Sequence, residues 1–109
     1  MWVNIISLTE FNYIMYYILL YETIPDYVEK RQPFRAEHLR LAQAAVDSGA
    51  LILGGAFANP ADGAALIFKG NLPKVARDFA ENDPYVQNGL IKKWTVREWT
   101  VVVGQEMVG

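Results

Sequence analysis

Ala50-Leu51-Ile52-Leu53-Gly54-Gly55-Ala56-Phe57 is followed, after Asn59-Pro60-Ala61-Asp62-Gly63, by Ala64-Ala65-Leu66-Ile67-Phe68. Two apolar runs of strand length around a cluster of Asn, Pro, Asp and Gly read as neighbouring antiparallel strands. The paired glycines inside the first run predict a β-bulge, or else a place where a ligand approaches the backbone.

A helix flanks this hairpin on each side. Upstream, Pro33 suits a first helical turn. Phe34, His38, Leu41 and Ala45 form one stripe, and Leu39, Ala42 and Val46 the adjoining one. Gly49 is a natural stop, so a helix is expected over Pro33–Ser48. Downstream, Leu72, Val75, Ala76, Phe79 and Ala80 repeat at helical spacing, with Asn71 as the expected cap. Asp83-Pro84 should end this helix, because the residue before a proline is pushed out of helical space.

Beyond each helix lies a further strand. Tyr13 to Glu22 is rich in aromatic and β-favouring residues, and its near-continuous hydrophobicity suits a strand covered on both faces. Thr23 to Gln32 reads as a polar loop. Lys92 to Val103 contains Trp94, Val96, Trp99, Val101 and Val103 and reads as the last strand. The order β-α-β-β-α-β predicts an α+β, ferredoxin-like fold: an antiparallel sheet with both helices on one face. The other face would then be apolar and uncovered, which predicts a homodimer whose sheets pack together as a dimeric α+β barrel.

The chain has 109 residues, 52% of them hydrophobic and 20% charged. That balance suits one globular domain, expected over 13–104 with an extension at 1–12 and a tail at 105–109. A net charge of −2 argues against a nucleic-acid partner, which would need a basic stripe. With no cysteine, thiol chemistry and disulfides are excluded, and the composition suits the cytoplasm. The uninterrupted apolar run Tyr13–Tyr21 is far shorter than the ~20 residues of a spanning helix, so no membrane partner is expected. One histidine and no cysteine argue against a metal site on ligand supply, and neither a G-x-G-x-x-G nor a P-loop pattern occurs. No cofactor is therefore expected.

Tyr17-Ile18-Leu19-Leu20-Tyr21, Glu29-Lys30-Arg31, the helix start Arg35-x-x-His38-Leu39, Gly54 and the turn Asp83-Pro84-Tyr85-Val86 together resemble the YciI-like (YCII-related) family of small dimeric α+β-barrel proteins. The resemblance covers about residues 14–100. It implies a catalytic pair made of His38 and Asp83, in a cleft between sheet and helix. Family functions are mostly unassigned, with lyase or dehalogenase-like chemistry on small cyclic compounds suggested among them. The first strand ends Glu22-Thr23, whereas members often carry an acidic residue about one place later; Glu22 is the candidate substitute.

A carboxylate on one imidazole nitrogen fixes the tautomer and favours the imidazolium, so such a pair suits proton transfer to or from a small substrate. The alternative is a hydrogen bond that staples helix to turn. Arg35, one turn before His38, is the candidate anchor for an anionic substrate, against a surface ion pair with Glu22, Asp26 or Asp83. Tyr85 is a candidate hydroxyl donor, against a ring packed beneath the turn. The expectation is a cofactor-independent lyase or isomerase, or a dehalogenase-like enzyme, acting on a small cyclic or anionic metabolite. The alternative is a non-catalytic ligand-binding or accessory dimerisation module.

Overall fold

A computed structural model describes residues 14–104. The expected extension at 1–12 and the tail at 105–109 lie outside those residues. The elements are β1 (Met15–Thr23), α1 (Tyr27–Lys30), a 3-10 turn (Gln32–Phe34), α2 (Arg35–Asp47), β2 (Leu51–Ala56), β3 (Gly63–Gly70), α3 (Lys74–Asn82), α4 (Pro84–Gln87) and β4 (Ile91–Trp99). The sheet order is β2-β3-β1-β4, antiparallel throughout, so the ferredoxin-like expectation holds.

β1 occupies the middle because it is the most apolar strand, and it pairs on both sides. Its pleat sends Tyr17, Leu19 and Tyr21 towards the helices, where all three are buried. They meet Leu66 and Phe68 of β3, Ala76, Phe79 and Ala80 of α3, and Tyr85. α3 lies over β1, β3 and β4, while α2 lies over β2. The opposite parity, namely Ile18 and Leu20 on β1, Ala65 and Ile67 on β3 and Leu53 on β2, makes the outer face. Lys93 and Arg97 of β4 and Lys69 of β3 share that face beside the apolar centre.

Several local expectations are corrected. The segment Thr23–Gln32 is not a plain loop. Asp26 adopts a left-handed conformation (φ 61°) that starts α1, whose Tyr27 side chain is buried. Pro33 lies in the 3-10 turn, and α2 proper begins at Arg35. Asn71 does not cap α3. The capping position is Pro73, with no side-chain cap, and Leu72 is left outside the helix and exposed. The break in the β2–β3 register falls between Leu51 and Leu53, ahead of the two glycines. β4 stops at Trp99, four residues before the expected end at Val103. Asp83 does end α3, at ψ 122°, as a residue before proline should. It then starts α4 by accepting the Tyr85 N–H through its own side chain.

Candidate active site

Three elements converge on Asp83, whose side chain is fully buried. Its Oδ2 accepts the hydroxyl of Tyr21, from β1, at 2.7 Å. Its Oδ1 accepts the backbone N–H of Tyr85, from α4, at 2.9 Å and lies 2.9 Å from Nδ1 of His38, on α2. A carboxylate cut off from water needs hydrogen-bond donors, and these three serve both of its oxygens, two on Oδ1 and one on Oδ2. Since an ionised carboxylate only accepts, the proton between Oδ1 and the imidazole belongs on His38 Nδ1. Nε2 is then the unprotonated ring nitrogen of the neutral imidazole.

The imidazole is further held by its ring contacts. Tyr85 stacks on His38 with centroids 3.9 Å apart and planes 8° from parallel. Phe79 meets the same ring edge-on at 6.3 Å, and Tyr27 meets Tyr85 edge-on at 5.7 Å. His38 keeps 16% of its side-chain surface exposed. Its orientation is thus fixed by one hydrogen bond and two rings, while one edge stays accessible.

Tyr21 is a site residue that sequence reasoning misses, because along the chain it reads as one more aromatic on an apolar strand. Burial pushes its phenol far above the ordinary tyrosine value, and the Asp83 charge and hydrogen bond add to that shift. Tyr21 is therefore a permanent donor near neutral pH. It holds Asp83 in place but takes no part in proton exchange with solvent.

A cavity of about 590 Å³ opens beside this cluster, between α2 and the inner sheet face. Tyr21, Tyr27, Arg31, Arg35 and His38 line it, with Leu39, Ala42, Val46, Leu51, Leu66 and the two glycines of β2. Leu39 and Val46, from the second apolar stripe of α2, are half-exposed because they form its wall rather than enter the core. Gly54 is paired with Leu66 on the inner face, and a Cβ there would stand 3.1 Å from the Leu66 side chain. The missing side chain leaves the cavity floor open.

The predicted site residues separate into three groups. His38 and Arg35 line the cavity, whereas Asp83 is fully buried outside its lining and connects to it only through His38. Arg35 makes none of the ion pairs weighed for it: the described residues hold ion pairs at His38–Asp83, Arg40–Glu37 and Lys74–Asp78. Tyr85 departs from the expectation, since its hydroxyl is buried beside Arg35 without a well-aligned hydrogen bond and its ring supports His38 from outside the cavity lining. Burial raises that phenol's pKa, outweighing the opposing pull of Arg35 and Arg31. Glu22 is a second correction. It is exposed and follows the inward-facing Tyr21, so the period-two pleat turns it to the outer face, level with Lys93. An acidic residue one place later would have faced inward; here that place is Thr23.

Among the described residues, no group of three or more His, Asp or Glu is placed to hold a metal ion. Nor is any helix among them long and apolar enough to cross a membrane.

Comparison with known proteins agrees with this architecture. The YCII-related domain matches residues 15–100. Among solved structures, 5-chloro-2-hydroxyhydroquinone dehydrochlorinase from Burkholderia phenoliruptrix, in complex with 2,5-dihydroxybenzoquinone, superposes with a TM-score of 0.67 at 21% identity, over 79% of this chain and 94% of its own. A NIPSNAP family protein from Agrobacterium tumefaciens gives 0.56 at 12% identity, over 87% of this chain and 99% of its own. No curated protein matches. At these identities the superpositions establish the fold and nothing finer.

Proposed function

This chain belongs to the YCII-related domain family, and on that footing we propose that it is a cofactor-independent enzyme acting by proton transfer on a small cyclic or anionic metabolite. The observation that carries the reading is the buried Asp83 carboxylate, held by Tyr21 and the Tyr85 amide and turned onto His38 at the wall of a cavity.

In this reading Nε2 of His38 removes a proton from a C–H or O–H of the bound molecule. Asp83, across the ring, balances the imidazolium charge. The electron pair released forms a double bond as a leaving group departs with its own pair, or shifts to a neighbouring atom. The imidazolium then returns its proton to the leaving group or to that atom, giving elimination or isomerisation with no redox step. The dehydrochlorinase among the structural neighbours supports the elimination form as a candidate for this chain. The side chains of Tyr21 and Tyr85 act as positioning residues.

The test is solvent deuterium exchange, followed by NMR, into a panel of small ring ketones, hydroxyquinols and 2-oxo acids. The parent should exchange at least one member. His38→Asn should slow that exchange by about 10²–10⁴-fold in a variant that circular dichroism shows to be still folded. Exchange unchanged in His38→Asn would remove the acid–base role, and binding without exchange across the panel would favour a non-catalytic ligand-binding module.

We also propose a homodimer through the outer sheet face. The apolar residues Ile18, Leu20, Leu53 and Ala65 of that face have no described helix over them; Leu53 is 60% exposed, the other three are partly exposed, and Ile67 between them is buried. Sedimentation should give a dimer that Leu20→Arg dissociates. A parent that sediments as a monomer at micromolar concentration would refute this.

A further inference from the structure

Arg31 and Arg35 present an unbalanced pair of charges. Arg31 ends α1 and Arg35 opens α2, and both side chains line the same cavity as His38. Neither has a carboxylate partner among the described ion pairs, whereas the surface cations Arg40 and Lys74 are paired with Glu37 and Asp78. Asp83, the buried acid nearby, has its oxygens committed to Tyr21, the Tyr85 amide and His38.

Arg31 is also partly withdrawn from water. Its guanidinium carbon stands 5.1 Å over the Tyr27 ring, and its Nε is buried with no hydrogen-bond partner. The aromatic face partly compensates the charge but accepts no N–H hydrogen bond along the fork. Both guanidinium groups line the cavity and both act on the nearby Tyr85 phenol, so the two stand in the same neighbourhood. Cations desolvated without a counter-ion are costly, and proteins normally pair them.

We infer that Arg31 and Arg35 form the anion-binding end of the cavity and that its ligand is a carboxylic acid with an apolar body. A planar guanidinium fork matches the two oxygens of a carboxylate. Leu39, Val46 and Leu66 give the rest of the cavity apolar walls, and about 590 Å³ lies within the range of small-molecule sites. The inference deepens the proposed function by naming a substrate class. It rests on the cavity being the substrate site, and not on His38 acting as acid or base.

Titration calorimetry on the full chain with sodium benzoate, benzamide and inorganic phosphate tests it. Benzoate should bind about tenfold or more tightly than its neutral isostere benzamide, and more tightly than phosphate, which lacks the apolar body. Arg31→Gln and Arg35→Gln should each weaken benzoate about tenfold or more and leave benzamide unchanged. Arg31→Lys, which keeps the charge and loses the fork, should fall between parent and Arg31→Gln. Equal binding of benzoate and benzamide, undiminished benzoate binding in either glutamine variant, phosphate binding as tight as benzoate, or no benzoate binding would each overturn the inference. Benzoate binding that survives in His38→Asn, alongside unchanged exchange in that variant, would sink the acid–base reading alone. Exchange that depends on His38 without a preference for benzoate would sink the carboxylate reading alone.

Discussion

Tyr21→Phe isolates the hydrogen bond that anchors the buried carboxylate. The substitution deletes one oxygen, keeps the ring that packs into the core with Leu66 and Phe79, and creates no cavity of consequence. It leaves Oδ2 of the fully buried Asp83 without its 2.7 Å donor. A hydrogen bond to a charged group contributes about 1.5–3 kcal/mol, so a loss of about 2 kcal/mol is expected at pH 7. For a domain near 100 residues that corresponds to a melting temperature about 8–16 °C lower.

The penalty should also shrink at alkaline pH, and the sign follows from linkage. The Tyr21 pKa is raised in the folded protein above its ordinary value of 10.0. Its contribution is fully present below about pH 10, where the unfolded chain also keeps the phenol proton. Above that pH the unfolded chain ionises, the folded one does not, and stability is lost as the pH climbs towards the raised folded value. One unit above the unfolded pKa the loss is about 1.4 kcal/mol. With phenylalanine in place of the phenol this dependence disappears. The difference between parent and variant should therefore drop from about 2 kcal/mol at pH 7 to about 0.6 kcal/mol at pH 11. Urea unfolding of both proteins at one concentration and two pH values measures this. A penalty below about 0.5 kcal/mol at pH 7, or one undiminished at pH 11, would refute the account of Tyr21 as a buried, permanently protonated donor to Asp83.

Three further outcomes are expected. Asp83→Ala strands the Tyr21 hydroxyl and the His38 Nδ1–H, and removes the cap of α4. It should cost about 3–5 kcal/mol by denaturant unfolding, and a loss under about 1 kcal/mol would contradict the three-donor arrangement. Gly54→Val should place its branches over the cavity floor against Leu66. Benzoate affinity should then fall about tenfold while stability changes by less than about 2 kcal/mol, so unaltered binding would show that the floor is not used. Gly63→Ala should be the more damaging glycine change, because its Cβ would meet the backbone oxygen of Tyr21 at 2.6 Å and the Phe57 ring at 3.0 Å. A backbone oxygen in a paired strand has nowhere to move, so a loss of about 3 kcal/mol is expected, and a neutral result in a thermal melt would show that β1 and β3 can part there.

Much of this protein is legible along the chain because local spacing carries it. Helical repeats at Phe34–Ala45 and Val75–Ala80, apolar runs around Asn59–Gly63 and the proline after Asp83 determine the element order, and that order admits few topologies. The resemblance named His38 and Asp83; their separation of 45 residues holds no spacing rule that would have paired them. Tyr21 lies 62 residues from its partner Asp83 and looks like any core aromatic, so only the packing of α3 over β1 brings its hydroxyl to the carboxylate. Strand parity decided that Tyr21 faces the cavity and Glu22 faces away, a difference of one residue that composition does not record. The short α1 escapes a sequence reading because it rests on a left-handed Asp26 rather than on apolar periodicity. Its end carries Arg31, whose place outside the described ion pairs is a property of three-dimensional surroundings alone. Sequence by itself determined the four strands, the two long helices and their order, since those depend on neighbours a few residues apart. Tertiary structure decided which charged and polar groups are paired and which are not, because desolvation and hydrogen bonding depend on what the fold brings within about 3 Å.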